Sequence, residues 1–146
     1  MIPFRGAAPA VQALIGGQVD LLFDQASNSL PQIRGKTITA YAVTAKNKLA
    51  AAPDIPTVDE AGLPEFYMSV WHGLWAPKGT PPHVIARLNA AVVDALADSN
   101  VRTRLADLGQ DIPTAEQQTP NGLASYQKAE IEKWWPVIKA ANIKAE

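Results

Sequence analysis

The chain has 146 residues, 47% of them apolar and 7% aromatic, enough for a buried core at the usual domain size of about 100–200 residues. Thirteen Lys and Arg against fourteen Asp and Glu leave a formal charge of -1, so no field of one sign exists to gather nucleic acid or an anionic membrane. The absence of cysteine excludes disulfides, thiol nucleophiles and thiolate metal sites, and two histidines argue against a multi-histidine metal centre.

Ile2-Pro3-Phe4-Arg5-Gly6 opens as a short extended piece, after which Pro9 suits a first helical turn. Val11, Leu14 and Ile15 then mark one face of a helix that Gly16-Gly17 should end. Val19-Asp20-Leu21-Leu22-Phe23 is short, apolar and flanked by turn formers, which predicts a strand buried on both faces. Asp24 to Ser29 offers several N-caps to a short helix carrying Leu30 and Ile33, stopped by Gly35. The β-branched run from Thr37 to Thr44 predicts a further strand. Strands and helices alternating at these spacings imply parallel pairing in an open α/β layout.

The rhythm then changes. Thr57 and Glu60 stand at capping-box spacing, although Gly62 and Pro64 allow only about a turn and a half of helix. Tyr67 through Trp75 reads as a strand with both faces largely buried, including a core His72. Thr80 is expected to cap, and Pro81 to begin, a long helix over about 83–97 with a stripe of Ile85, Leu88, Val92 and Leu96. Ser99 is expected to cap another helix carrying Val101, Leu105 and Leu108 to Gly109. Thr119-Pro120 begins the last, with Leu123, Tyr126, Ile131, Trp134 and Ile138, and Pro136 predicts a kink or restart near Trp135. Trp71, Trp75, Trp134 and Trp135 are expected in the core, and His83 on the surface. One strand cannot hide the stripes of three helices, so the C-terminal part needs a sheet beyond its own.

No G-x-S-x-G, G-x-x-x-x-G-K-[ST] or G-x-G-x-x-G occurs, which removes the elbow of serine hydrolases and the phosphate cradles of NTP and dinucleotide sites. Asp24 falls at the carboxyl end of a predicted parallel strand, where open α/β sheets place ligand crevices, and Gln25, Ser27 and Asn28 share its loop. Residue type alone leaves two readings there, turn and cap residues or ligand contacts. Arg5, at the end of the preceding strand, is likewise either a solvated cation or a partner for a ligand carboxylate. No stretch reaches the ~18–20 apolar residues of a membrane-spanning helix, and Met1-Ile2-Pro3-Phe4-Arg5 lacks the apolar run of a signal peptide, so the sequence reads as soluble and without a leader.

Five stretches in register together resemble one family, the extracytoplasmic solute-binding proteins of tripartite tricarboxylate transporters, or Bordetella uptake gene (Bug) proteins. They are Pro3-Phe4-Arg5-Gly6, similar to that family's P-Y-K-G; Gly17 to Asp24; Ala40-Tyr41-Ala42-Val43-Thr44; Pro53 to Gly62; and Trp71 to Pro81. The agreement in order and spacing runs from about residue 2 to residue 143. Arg5 stands where the family has Lys, keeping the charge, and Phe4 where it has Tyr, losing a hydroxyl. Pro136 departs from an uninterrupted final helix.

The resemblance implies a partial α/β fold of the periplasmic-binding-protein type II, or Venus-flytrap, kind. Residues 1–68 would be the C-terminal part of lobe two, and 69–146 a hinge strand with the helical part of lobe one. Family members are roughly twice this length, so the N-terminal half of the fold would be missing. The implied function is noncovalent capture of a small carboxylate for the membrane permease subunits of the transporter, in the periplasm, with no enzymatic step, cofactor or metal. The ligand-binding positions carried over are Phe4, Arg5, Gly6, Asp24, Gln25, Ala26 and Ser27. With half of the cleft wall absent, the chain alone is expected to bind little and to associate with copies of itself through uncovered apolar stripes. The alternatives are an effector-sensing domain of a regulator, which needs a DNA-binding segment, and a small α/β enzyme built on Asp24 and His72.

Overall fold

The computed structural model describes residues 2–143; Met1 and residues 144–146 lie outside the described residues. The helices are α1 (Ala7–Ile15), α2 (Ala26–Arg34), α3 (Pro82–Ala97), α4 (Ser99–Asp107) and α5 (Pro120–Ala140). The chain divides into two compact units, one of residues 1–72 and 99–111, the other of residues 73–98 and 112–146. Residues 99–111, with α4, thus fall in the unit that holds α1 and α2.

Local chemistry decides where the helices stop. At the end of α1, Gln18 N–H reaches back to the Ala13 carbonyl at 2.8 Å and Gly17 N–H to Leu14 at 3.1 Å, with Gly17 at φ 69°. The end of α4 repeats this: Gln110 to Leu105 at 2.9 Å, Gly109 to Ala106 at 2.9 Å, and Gly109 at φ 68°. These are Schellman turns, in which glycine takes the left-handed residue without steric cost. Helix α2 stops at Gly35 as expected, but its closing turn differs. Gly35 stays right-handed, and the left-handed residue is Lys36 at φ 57°.

The first unit owns the buried core. Ala10, Val11 and Ala13 of α1, Leu30 of α2, and Ile55 and Val58 are buried, Leu30 most completely at 2% exposure. The inward face of α1 thus holds the expected Val11 between Ala10 and Ala13, while Ile15, also expected there, is exposed. Helices α1 and α2 pack against each other. Thr57 and Glu60 form the expected capping box: Thr57 N–H donates to Glu60 Oε2 at 2.8 Å and Glu60 N–H to Thr57 Oγ1 at 3.3 Å.

The strands differ most from expectation. Among the described residues no ladder forms, and the one β-bridge is parallel, between Val43 and Thr57. Thr44 extends it on the other side, accepting from Met68 N–H at 3.1 Å and donating its hydroxyl to the Met68 carbonyl at 2.6 Å. Val19–Phe23 and residues 38–42 make no backbone hydrogen bonds among the described residues; Leu21 and Phe23 are exposed instead of buried on both faces, and Tyr41 is exposed as well. A strand is buried only when neighbours pair with it and a layer covers it, and neither is supplied here. His72, Met68, Val70, Leu74 and Trp75 are exposed, although Met68 is paired with Thr44, so the expected two-sided burial of Tyr67–Trp75, with its core histidine, does not hold.

In the second unit the helix starts are well made but their faces are uncovered. Thr119 Oγ1 accepts the Gly122 N–H at 2.9 Å, and Pro120 occupies the first turn of α5. Thr80 turns its hydroxyl back to the Pro77 carbonyl at 2.8 Å instead of capping, and Pro81 takes the cap position of α3. The half-buried stripe of α3 is Ile85, Asn89, Val92 and Leu96, with Leu88 exposed; Asn89 replaces it because its amide donates to the Gln118 carbonyl at 2.7 Å. Helix α5 runs unbroken through Pro136, so the expected restart does not occur. Proline removes one N–H from that ladder, and the carbonyl it would serve belongs to exposed Glu132, where water can replace the bond. The tryptophans are not core residues. Trp75 is 61% exposed and donates to Gln127 Oε1 at 3.3 Å, Trp134 donates to Glu130 Oε2 at 3.0 Å, and exposed Trp135 carries Lys139 Nζ 5.2 Å above its ring.

Candidate functional site

The expected ligand positions fall at two helix starts within the first unit. Phe4 and Arg5 lie exposed before α1, and Gly6 is its N-cap at φ 102° and ψ 174°, a conformation reserved for glycine. Gly6 N–H closes a tight turn onto the Phe4 carbonyl at 3.0 Å. Asp24, Gln25, Ala26 and Ser27 are half-buried at the start of α2, with Gln25 as the N-cap. The packing of α1 on α2 brings both segments into one unit, and neither is sealed in the core.

Neither helix start is capped by a side chain. The N–H groups of Ala7 and Ala8 on α1, and of Ala26 and Ser27 on α2, donate no hydrogen bond among the described residues. Free N–H groups at a helix start, with the positive end of the helix dipole, favour an anion, and Arg5 adds a full cation beside α1.

The Asp24 carboxylate is already engaged. Its Oδ1 accepts from Asn28 Nδ2 at 3.0 Å and its Oδ2 from the Ser29 hydroxyl at 2.7 Å. Asp24 therefore braces the first turn of α2 through side chains rather than capping its backbone. Sequence reasoning named Asn28 only as a loop neighbour and Ser29 only as a cap; the i, i+4 interval from Asp24 to Asn28 was the signal available.

Other features lie away from these segments. In the first unit, Tyr67 donates its hydroxyl to Asp59 Oδ2 at 2.6 Å, which holds the phenol above its ordinary range. In the second, an open apolar groove of about 530 Å³ runs between the starts of α3 and α5, lined by Thr80, Pro82, Ile85, Asn89 and Pro120, with no charged side chain to take a carboxylate. Among the described residues no cluster of three or more His, Cys, Asp or Glu could hold a metal, and no helix is long and apolar enough to cross a membrane.

Comparison with known proteins matches residues 1–143 to the family described as the tripartite tricarboxylate transporter family receptor, TctC. A protein from the TAR-I ttuE-ttuC' intergenic region of Agrobacterium vitis is 44% identical over 143 residues, covering 97% of this chain and 41% of its own. BugT of Bordetella pertussis is 33% identical over 144 residues, covering 99% and 43%. Among solved structures, MatC from Rhodopseudomonas palustris with bound malate superposes at a TM-score of 0.86 with 47% identity, over 94% of this chain and 47% of that one. The periplasmic binding protein BugD superposes at 0.88 with 37% identity, over 99% and 48%. The chain spans about half the length of these structures and about two-fifths of those two curated relatives. It carries a corresponding part of the α/β fold of periplasmic binding proteins, and the uncovered strand segments and helix faces are those of a partial fold. With the family model matched over residues 1–143, the chain belongs to the tripartite tricarboxylate transporter receptor family, a family of solute-binding proteins.

Proposed function

We propose that this chain is the C-terminal half of a two-lobed periplasmic receptor that holds a small carboxylate without covalent chemistry and hands it to the membrane permease of a tripartite transporter. Residues 1–68 serve as part of lobe two, and residues 69–146 as the hinge strand and helical part of lobe one. Phe4, Arg5 and Gly6 on one side, and Asp24, Gln25, Ala26 and Ser27 on the other, face the ligand. The observation that carries this reading is the pair of uncapped helix starts in one unit, with Arg5 beside the first. Donors without a nucleophile suit anion binding, and two donor sets suit a ligand with a carboxylate at each end, as in the malate held by MatC. Asp24 takes part by fixing the α2 turn, and its remaining lone pairs can accept a ligand hydroxyl.

The test is a chimera in which residues 2–143 replace the matching part of MatC, with malate affinity measured by calorimetry. The chimera should bind malate. Arg5→Ala should weaken it at least about tenfold, as expected for loss of a charge-assisted bond of about 1.5–3 kcal/mol. Unchanged affinity in Arg5→Ala would remove the first loop from the site. The 146-residue chain alone should bind malate weakly or not at all, and micromolar binding by it would overturn the assignment of half the cleft to another part of the protein.

A further inference from the structure

The first turn of α5 is tied together by one hydroxyl. Thr119 Oγ1 donates to the Glu116 carbonyl at 2.9 Å and accepts the Gly122 N–H at 2.9 Å, so its one proton is committed and a lone pair is aimed at the glycine nitrogen. The same carbonyl fixes the residue type at 122. A Cβ there would run into the Glu116 carbonyl oxygen and stand 3.0 Å from Gln117 Cα, both of them backbone atoms that cannot swing aside, so only glycine fits. Exposed Asn121 precedes it, and of the six asparagines in the chain it alone is followed by glycine. Asparagine is a labile residue, most of all before glycine, whose nitrogen has no adjoining side chain to keep it from the asparagine side-chain carbonyl.

We propose that Asn121 is a site of spontaneous deamidation that the Thr119 cap holds shut. In the reaction the Gly122 nitrogen gives up its proton and bonds to Asn121 Cγ; the Cγ–Nδ2 bond breaks, ammonia leaves and a succinimide ring closes. Water then opens the ring at either carbonyl, giving aspartate or isoaspartate with one new negative charge, and nothing is oxidised or reduced. The folded turn blocks the first step twice. Thr119 holds the Gly122 N–H, and the helical ψ of Asn121, about −42° in a regular helix, keeps the nitrogen away from Cγ. Reaction therefore waits for the turn to open. The isoaspartate product cannot close it again, because it adds a methylene to the main chain where Glu116 and Gln117 leave no room even for a Cβ on residue 122. Every contact involved lies between Glu116 and Leu123 of the second unit, so the site is independent of the ligand positions in the first unit and of the receptor reading.

The test is incubation of the 146-residue chain at mildly alkaline pH, followed by tryptic digestion and mass spectrometry. The peptide of residues 105–128 contains Asn121 as its only asparagine, so exchange of –NH2 for –OH there reports this site alone. The native chain should react more slowly than the same chain unfolded in urea. Thr119→Ala should speed the reaction of the folded chain about 2- to 30-fold, the factor that corresponds to the ~0.5–2 kcal/mol lost with an N-cap. Thr119→Ser keeps the hydroxyl and should react at the native rate. Thr119→Gly removes it at less cost to the helix and should react faster than native by a smaller factor, which keeps the comparison open if circular dichroism shows Thr119→Ala unfolded. In urea all four chains should react alike. A native chain as fast folded as unfolded, folded variants without the hydroxyl no faster than native, or a difference among the chains that persists in urea would each overturn the proposal.

Discussion

Gly17→Ala and Gly109→Ala form a matched pair that separates backbone strain from packing. Both glycines close a Schellman turn with the same hydrogen bonds, and their φ values are 69° and 68°. A left-handed residue with a Cβ costs about 1–2 kcal/mol, so both variants lose that much. They differ in what the new methyl meets. At Gly17 nothing lies within 4 Å, while at Gly109 it would stand 3.0 Å from Ala26 Cβ, 3.1 Å from Leu30 Cδ1 and 3.2 Å from Leu49 Cδ2. The two leucine methyls can swing aside, but Ala26 Cβ is fixed to the first turn of α2. Inserting a methyl into such a site costs about 1–3 kcal/mol more, so Gly109→Ala should lose roughly 2–5 kcal/mol and Gly17→Ala roughly 1–2. Urea denaturation followed by far-ultraviolet circular dichroism, at one fixed protein concentration, measures both. Equal losses would refute the reasoning, for they would mean that the α4 turn is not pressed against α2 at Ala26, a residue of the candidate site.

Two more expectations follow from the same geometry. Lys36 takes the left-handed place at the end of α2, with its N–H on Ile33 at 3.0 Å and Thr37 N–H on Gln32 at 3.0 Å, so Lys36→Gly should raise stability by about 0.5–1 kcal/mol after the extra chain entropy of glycine is counted; an unmoved or lower urea midpoint would show that Lys36 is not strained. The Glu60 carboxyl is held below its ordinary range, chiefly by the Thr57 N–H; desolvation opposes this, and Lys48, 3.4 Å away, lowers it further. A depressed folded value means that its stabilisation is complete above the unfolded value of about 4.3 and is lost as pH falls through the lower folded value. Urea midpoints of Glu60→Gln should therefore fall less steeply than those of the native chain below about pH 4.3, and parallel acid slopes would count against the capping box as the cause.

Helix ends were legible because their chemistry is local. Gly17 and Gly109, Thr119 before Pro120, and the Thr57 and Glu60 pair each complete their hydrogen bonds within a few residues, so nothing distant can override them. Strands were legible only as candidates. Val19–Phe23 has the composition of a buried strand, yet its hydrogen bonds and cover depend on segments far away in sequence or in another chain. The same holds for the tryptophans: apolar patterning states that a ring seeks cover, and Trp75 and Trp135 show that it does not state whether the chain provides it. On α3 the pattern chose Leu88 over Asn89, because the Asn89 bond to the Gln118 carbonyl is invisible to a hydrophobic stripe.

The candidate site combines both kinds of information. Its positions follow from sequence, since Gly6 and Gln25 each precede a helix, but its sign follows only from what the side chains do in space. A free Asp24 carboxylate at the start of α2 would compete for the same N–H groups that an anionic ligand needs, and would repel that ligand. With Asn28 and Ser29 holding both oxygens, at 3.0 and 2.7 Å, the Asp24 charge is turned to the service of the helix's own first turn, and the Ala26 and Ser27 N–H groups stay free. On the proposed reading, a carboxylate can therefore be a ligand's neighbour without closing the site to carboxylates, and a loop that residue types alone left ambiguous between cap and contact is both: Asp24 spends its bonds on side chains so that the backbone keeps its own for the ligand.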